Sequence, residues 1–123
     1  MIQGVVGSDA RARFALPILG QDGSELAVTV VFDSGYDGWL TLPRALAETH
    51  CDLLPPQASL DLADGTTRRV RSFRAVLALD GEIMEVDVLE LDGEPLAGMQ
   101  LLSGFRLTMD IVPDGPVVIE RLP

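Results

Sequence analysis

The segment Val30-Val31-Phe32-Asp33-Ser34-Gly35-Tyr36-Asp37-Gly38-Trp39-Leu40-Thr41-Leu42-Pro43 sets a carboxylate directly after a wholly apolar strand and before a second one. A carboxyl group flanked in this way is expected to be partly desolvated. The same residues can also make an ordinary capped turn, with Ser34 bonded to backbone and Gly35 supplying positive φ, and the triplet alone does not separate the two. Other nucleophiles fit less well. Ser34 lacks the Gly-x-Ser-x-Gly elbow of a serine hydrolase, and His50 is the chain's one histidine. Cys51 adjoins His50, but neighbours on a helix point about 100° apart and make a poor working pair. No His/Cys cluster has zinc spacing and no acidic loop has calcium spacing, so no metal and no cofactor are expected.

Short β strands must position these groups. Asp-Gly, a dipeptide that tolerates hairpin turns, occurs at residues 22, 37, 64, 80, 92 and 114. Between such breaks the sequence predicts strands over Arg13–Leu19, Glu25–Phe32, Trp39–Leu42, Ser59–Ala63, Arg69–Leu79, Glu82–Leu91, Arg106–Ile111 and Val117–Leu122. Period-2 alternation supports them: Leu26, Val28 and Val30 share one face, Met84, Val86 and Val88 another, and Phe73, Ala75, Leu77 and Leu79 a third. Pro43 suits the first position of a helix over Arg44–His50 that ends before Pro55-Pro56, and Gly98–Leu102 suits one or two helical turns closed by Gly104. The fold class is therefore all-β with one or two short helices, in a small closed or sandwiched arrangement.

Composition bounds the rest. The chain has 123 residues, 47% hydrophobic and 5% aromatic, and carries 19 acids against nine arginines and no lysine. One domain over residues 1–123 is expected, with an aliphatic core that needs neither disulfide nor structural metal. The formal charge of -10 repels phosphate backbones, so nucleic acid is excluded as a partner. No apolar run reaches the roughly 18 residues of a membrane span. Cys51 stands alone, and a reducing cytoplasm is the expected compartment. Arg68, Arg69, Arg71 and Arg74 gather four of the nine positive charges. Such a stripe either attracts acidic peptide or guards a solvated strand edge, and the second reading is favoured.

Taken in order, the parts resemble the retropepsin-like aspartic proteases, in particular their small single-domain prokaryotic members. The apolar strand with Asp33-Ser34-Gly35 is similar to the family's active-site loop. Ala63-Asp64-Gly65-Thr66 is similar to the tip of its flap hairpin. Pro95-Leu96-Ala97-Gly98-Met99-Gln100-Leu101-Leu102 resembles the segment that packs beneath the loop.

The resemblance implies a retropepsin-like closed β barrel, one half of a two-fold dimer. It implies that Asp33 is catalytic, that Ser34 and Gly35 complete the active-site loop, and that Gly98 supports it. Tyr36, Asp37, Asp64, Gly65 and Thr66 would then contact peptide. Two carboxylates a few ångströms apart cannot both ionise, so a pair sharing one proton supplies both the base that activates water and the acid that protonates the leaving group. The chain has one Asp-Ser-Gly, so activity requires a homodimer that brings Asp33 to Asp33. By the same resemblance Val117–Leu122 and Ile2–Val6 are the interface strands. A catalytically silent, dimeric peptide-binding or scaffold module is the alternative.

Overall fold

Alternating apolar side chains organise the chain, which a computed structural model describes over residues 1–20 and 22–123. Ten strands and one helix follow in order among the described residues: β1 (Ile2–Val6), β2 (Ala12–Leu19), β3 (Glu25–Phe32), β4 (Leu40–Leu42), α1 (Arg44–His50), β5 (Asp52–Asp61), β6 (Thr67–Leu79), β7 (Glu82–Glu90), β8 (Leu96–Ala97), β9 (Phe105–Met109) and β10 (Pro116–Arg121). The period-2 faces are the buried ones. Val28 and Val30 of β3 are buried, as are Phe73, Ala75, Leu77 and Leu79 of β6 and Val86 and Val88 of β7, while Glu85 and Asp87 face solvent. These side chains join Phe14, Leu16, Ile18, Leu40, Leu42, Val117 and Ile119 in one contiguous core. The turn between β6 and β7 has positive φ at both Asp80 and Gly81, as a two-residue hairpin of matching twist requires.

Three local expectations differ from the structure. Pro43 is the N-cap of α1, in extended backbone, rather than its first helical residue. Gly98–Leu102 forms turns and not a helix. The fifth strand begins at Asp52, seven residues before the predicted start, and runs through Pro55-Pro56. It accommodates the prolines by a register irregularity between Leu54 and Ala58, and an edge strand can spare the donors that proline lacks.

The sheet order is β5-β6-β7-β4-β8-β3-β2-β1-β10-β9. A further pairing of β2 with β6, at Ile18 with Leu77 and Leu19 with Val76, turns the sheet back on itself. β2, β3, β8, β4, β7 and β6 thus form a closed circuit of pairings, from which β1, β10 and β9 extend. Most pairs are antiparallel, but β3–β8 and β4–β7 are parallel, and β8 lies between β3 and β4. Arg13 staples the region in front of β8: its guanidinium bonds Asp9 at 2.6 and 2.9 Å and Glu94 at 2.9 and 3.0 Å. β1 is hydrogen-bonded to β2 and β10, and β10 to β1 and β9. Of the two strands expected to join subunits, β10 therefore has both edges filled within one chain, by β1 and β9, and β1 is paired with β10 over Ile2–Val5 and with β2 over Gly4–Val6.

Half of the arginine stripe is neutralised locally. Arg71 pairs with Glu90 and Glu48 and lies 5.3 Å from the Phe73 ring centroid, and Arg74 meets Asp87 at 3.1 Å in the cross-strand position. Among the described residues no helix is long and apolar enough to cross a membrane.

Candidate active site

Asp33 is the first residue beyond β3, and the β3–β8 pairing fixes its position. Val31 N–H donates to Pro95 O at 2.8 Å and Asp33 N–H to Ala97 O at 3.0 Å. The carboxylate is half-buried, and its Oδ1 accepts the Gly35 N–H at 2.8 Å. Tyr36 N–H closes the turn on Asp33 O at 3.2 Å. Asp33 itself therefore caps the loop, Ser34 is exposed, and Gly35 is not among the glycines with positive φ. Gly35 contributes openness instead: a Cβ there would meet only Asp33 Oδ1, at 3.2 Å.

The segment after β8 buttresses the loop. Gly98 N–H donates to Trp39 O at 2.9 Å, Met99 N–H to Tyr36 O at 2.9 Å and Gln100 N–H to Gly38 O at 3.0 Å. A Cβ at Gly98 would overlap the Gly38 carbonyl and come within 2.8 Å of Tyr36 Cδ2, and one at Gly38 would strike the Tyr36 ring. Two missing side chains thus make the seat of one aromatic ring. Burial there, with Asp37 and Asp87 nearby, pushes the Tyr36 hydroxyl up to about 12, so it stays neutral at working pH. Thr41 is the one buried polar residue among the described residues, and its Oγ1 accepts the Leu96 N–H at 3.1 Å.

A cavity of about 370 Å³ opens on Asp33. The loop contributes Asp33, Gly35 and Tyr36, β4 contributes Thr41, and the β5–β6 hairpin contributes Leu60, Asp61, Leu62 and Ala63, with Leu91 and Leu96 completing the wall. It is a largely apolar hollow with the Asp33 carboxylate at one face. Asp61 adds a second carboxylate, held by the Thr67 hydroxyl at 2.8 Å.

Of the sequence-derived site residues, the structure brings together Asp33, Gly35 and Tyr36, with Gly98 beneath them. Ser34, Asp64, Gly65 and Thr66 lie outside the lining of this cavity. The last three form the hairpin tip: Asp64 Oδ1 accepts both the N–H and the hydroxyl of Thr66, and Gly65 has φ +85°. Asp37 lines a different hollow, with Phe32 and Met99. Sequence reasoning missed Thr41, Asp61 and the leucines. A threonine inside an otherwise apolar strand was the available signal for Thr41. The others depend on how the hairpin folds over the loop. His50 and Cys51 border a separate polar hollow, where burial and Asp52 push the thiol up to about 11. Among the described residues no group of His, Cys, Asp and Glu is arranged to hold a metal ion.

No family model matches the sequence, and no curated protein matches it.

Proposed function

We propose that the chain is a retropepsin-like aspartic endopeptidase working as a homodimer, with Asp33 of each subunit as half of a carboxylate dyad. The observation that carries this reading is the half-buried Asp33 carboxylate, held by the Gly35 N–H, facing an apolar cavity that the β5–β6 hairpin overhangs. In this reading the closed circuit of strands is the family's barrel and the hairpin is its flap.

The chemistry follows from a pair of carboxylates that share one proton. The ionised member removes a proton from water, whose oxygen attacks the peptide carbonyl carbon while the protonated member donates to the carbonyl oxygen. Transfer of a proton to the nitrogen then breaks the C–N bond. The Gly35 N–H fixes the plane of each carboxylate, and the apolar wall strengthens every charge interaction inside. Neutral Tyr36 and Thr41 add polarity without a competing charge. A cytoplasmic compartment suits the single, unpaired Cys51.

The test is a peptide-library digest across acid to neutral pH, comparing wild type with Asp33→Asn and adding a statine-type transition-state analogue. Cleavage lost in Asp33→Asn with fold and dimer retained supports the dyad. Cleavage that survives the substitution refutes it. A dimer that binds the analogue and cleaves nothing is the silent peptide-binding module instead.

A further inference from the structure

Sheet edges decide where a second copy can attach. β5 and β9 stand at the two ends of the strand order. β5 carries two prolines and a register irregularity, features that blunt an edge. β9 is regular, with half-buried Phe105, Leu107 and Met109 alternating with exposed Arg106 and Thr108. The flanking hydrogen bonds, Asp110 N–H to Pro116 O at 3.1 Å and Leu122 N–H to Gly104 O at 2.9 Å, fix the pattern. Antiparallel bonding alternates along a strand, so Arg106 and Thr108 bond to β10, while Leu107 and Met109 turn their N–H and C=O toward the open edge. This edge also adjoins the Asp33 loop: Phe105 and Leu107 line a cavity of about 460 Å³ together with Phe32 and Asp37.

We infer that two copies pair through their β9 edges, antiparallel about a two-fold axis at Thr108, so that one sheet runs through the dimer. The inference rests on the dimeric reading proposed above and gives that dimer a different interface from the terminal strands. Side chains choose the register. A two-fold pairing that keeps the apolar face on one side sets residues of the same parity opposite each other. An axis at Thr108 sets Leu107 opposite the partner's Met109, matching the open backbone groups, and sets Arg106 opposite the partner's Asp110. An axis at Arg106 would oppose like charges, and one at Leu107 would leave Arg106 facing threonine. Among the described residues neither Arg106 nor Asp110 enters an ion pair within its own chain. Both are exposed, so each is available to a second copy.

Charge reversal tests this on the full chain. Sedimentation velocity over a wide concentration series compares wild type, Arg106→Asp, Asp110→Arg and the double variant, with circular dichroism melts to verify folding. The single variants are expected to weaken the dimer by about tenfold or more, and the double variant to recover most of that loss. Peptide cleavage is measured alongside. A wild-type dimer indifferent to every reversal overturns the β9 interface, while persisting Asp33-dependent cleavage keeps the protease reading. A swap-sensitive dimer without cleavage supports the interface and removes the protease reading. A monomer at all concentrations overturns both.

Discussion

Gly98→Ala isolates the buttress beneath the Asp33 loop. The added methyl would overlap the Gly38 carbonyl, a backbone group with nowhere to go, and press to within 2.8 Å of Tyr36 Cδ2. Overpacking of this kind costs about 1–3 kcal/mol. Relief by pulling the segment away endangers the bonds from Gly98, Met99 and Gln100 to Trp39, Tyr36 and Gly38, each worth about 1 kcal/mol. A total of about 2–4 kcal/mol follows, which for a domain of this size lowers the melting temperature by roughly 8–16 °C. Differential scanning calorimetry of wild type and variant measures it directly. Gly35→Ala is the control, since its methyl meets only one carboxylate oxygen, at 3.2 Å, and should lower the melting temperature by under about 4 °C. A Gly98→Ala melting temperature within about 2 °C of wild type would refute the argument that close backbone approach fixes this glycine.

Other outcomes follow from the same structure. Thr41→Val should cost about 1–3 kcal/mol in urea denaturation, because it leaves the Leu96 N–H without its acceptor. On the protease reading proposed above, Asp61→Asn should lower kcat/KM selectively for peptides with a basic side chain near the scissile bond, with little change for neutral ones. The Arg13 guanidinium holds Asp9 well below the usual carboxylate range and lowers Glu94, and Arg71 lowers Glu48 and Glu90. Their folded values lie below their unfolded ones, so this stabilisation is complete above about pH 5 and is lost as pH falls through the lowered values. Melting temperature against pH should therefore drop on the acid side, less steeply in Asp9→Asn/Glu94→Gln. Cys51, raised by burial, should react with iodoacetamide at pH 8 much more slowly than free cysteine.

β3, β6 and β7 were readable because each buries one face, which imprints a period of two on its sequence. The start of β5 was not, since Pro55-Pro56 reads locally as a break and only the edge position explains its tolerance. The short helix read at Gly98–Leu102 proved to be turns, closed by the three-residue bonds Ser103 N–H to Gln100 O at 3.3 Å and Phe105 N–H to Leu102 O at 3.0 Å. Within the site, Asp33 was legible from its apolar flanks and Gly98 only through the family resemblance. Leu60, Asp61 and Leu62 were not: the sequence points to the turn at Asp64-Gly65-Thr66, whereas the strand leading into that turn borders the cavity. Asp37 followed the resemblance in the sequence and faces another hollow in the structure.

The parallel union of β3 with β8 ties Asp33 to residues more than half the chain further on. During synthesis, the first half emerges from the ribosome with its carboxylate loop unsupported, and the loop acquires its shape only when Ala97 and Gly98 follow. Such distant closure slows folding. A chain that stops short of Ala97 and Gly98 therefore has no partner for the Asp33 N–H and no support beneath its loop.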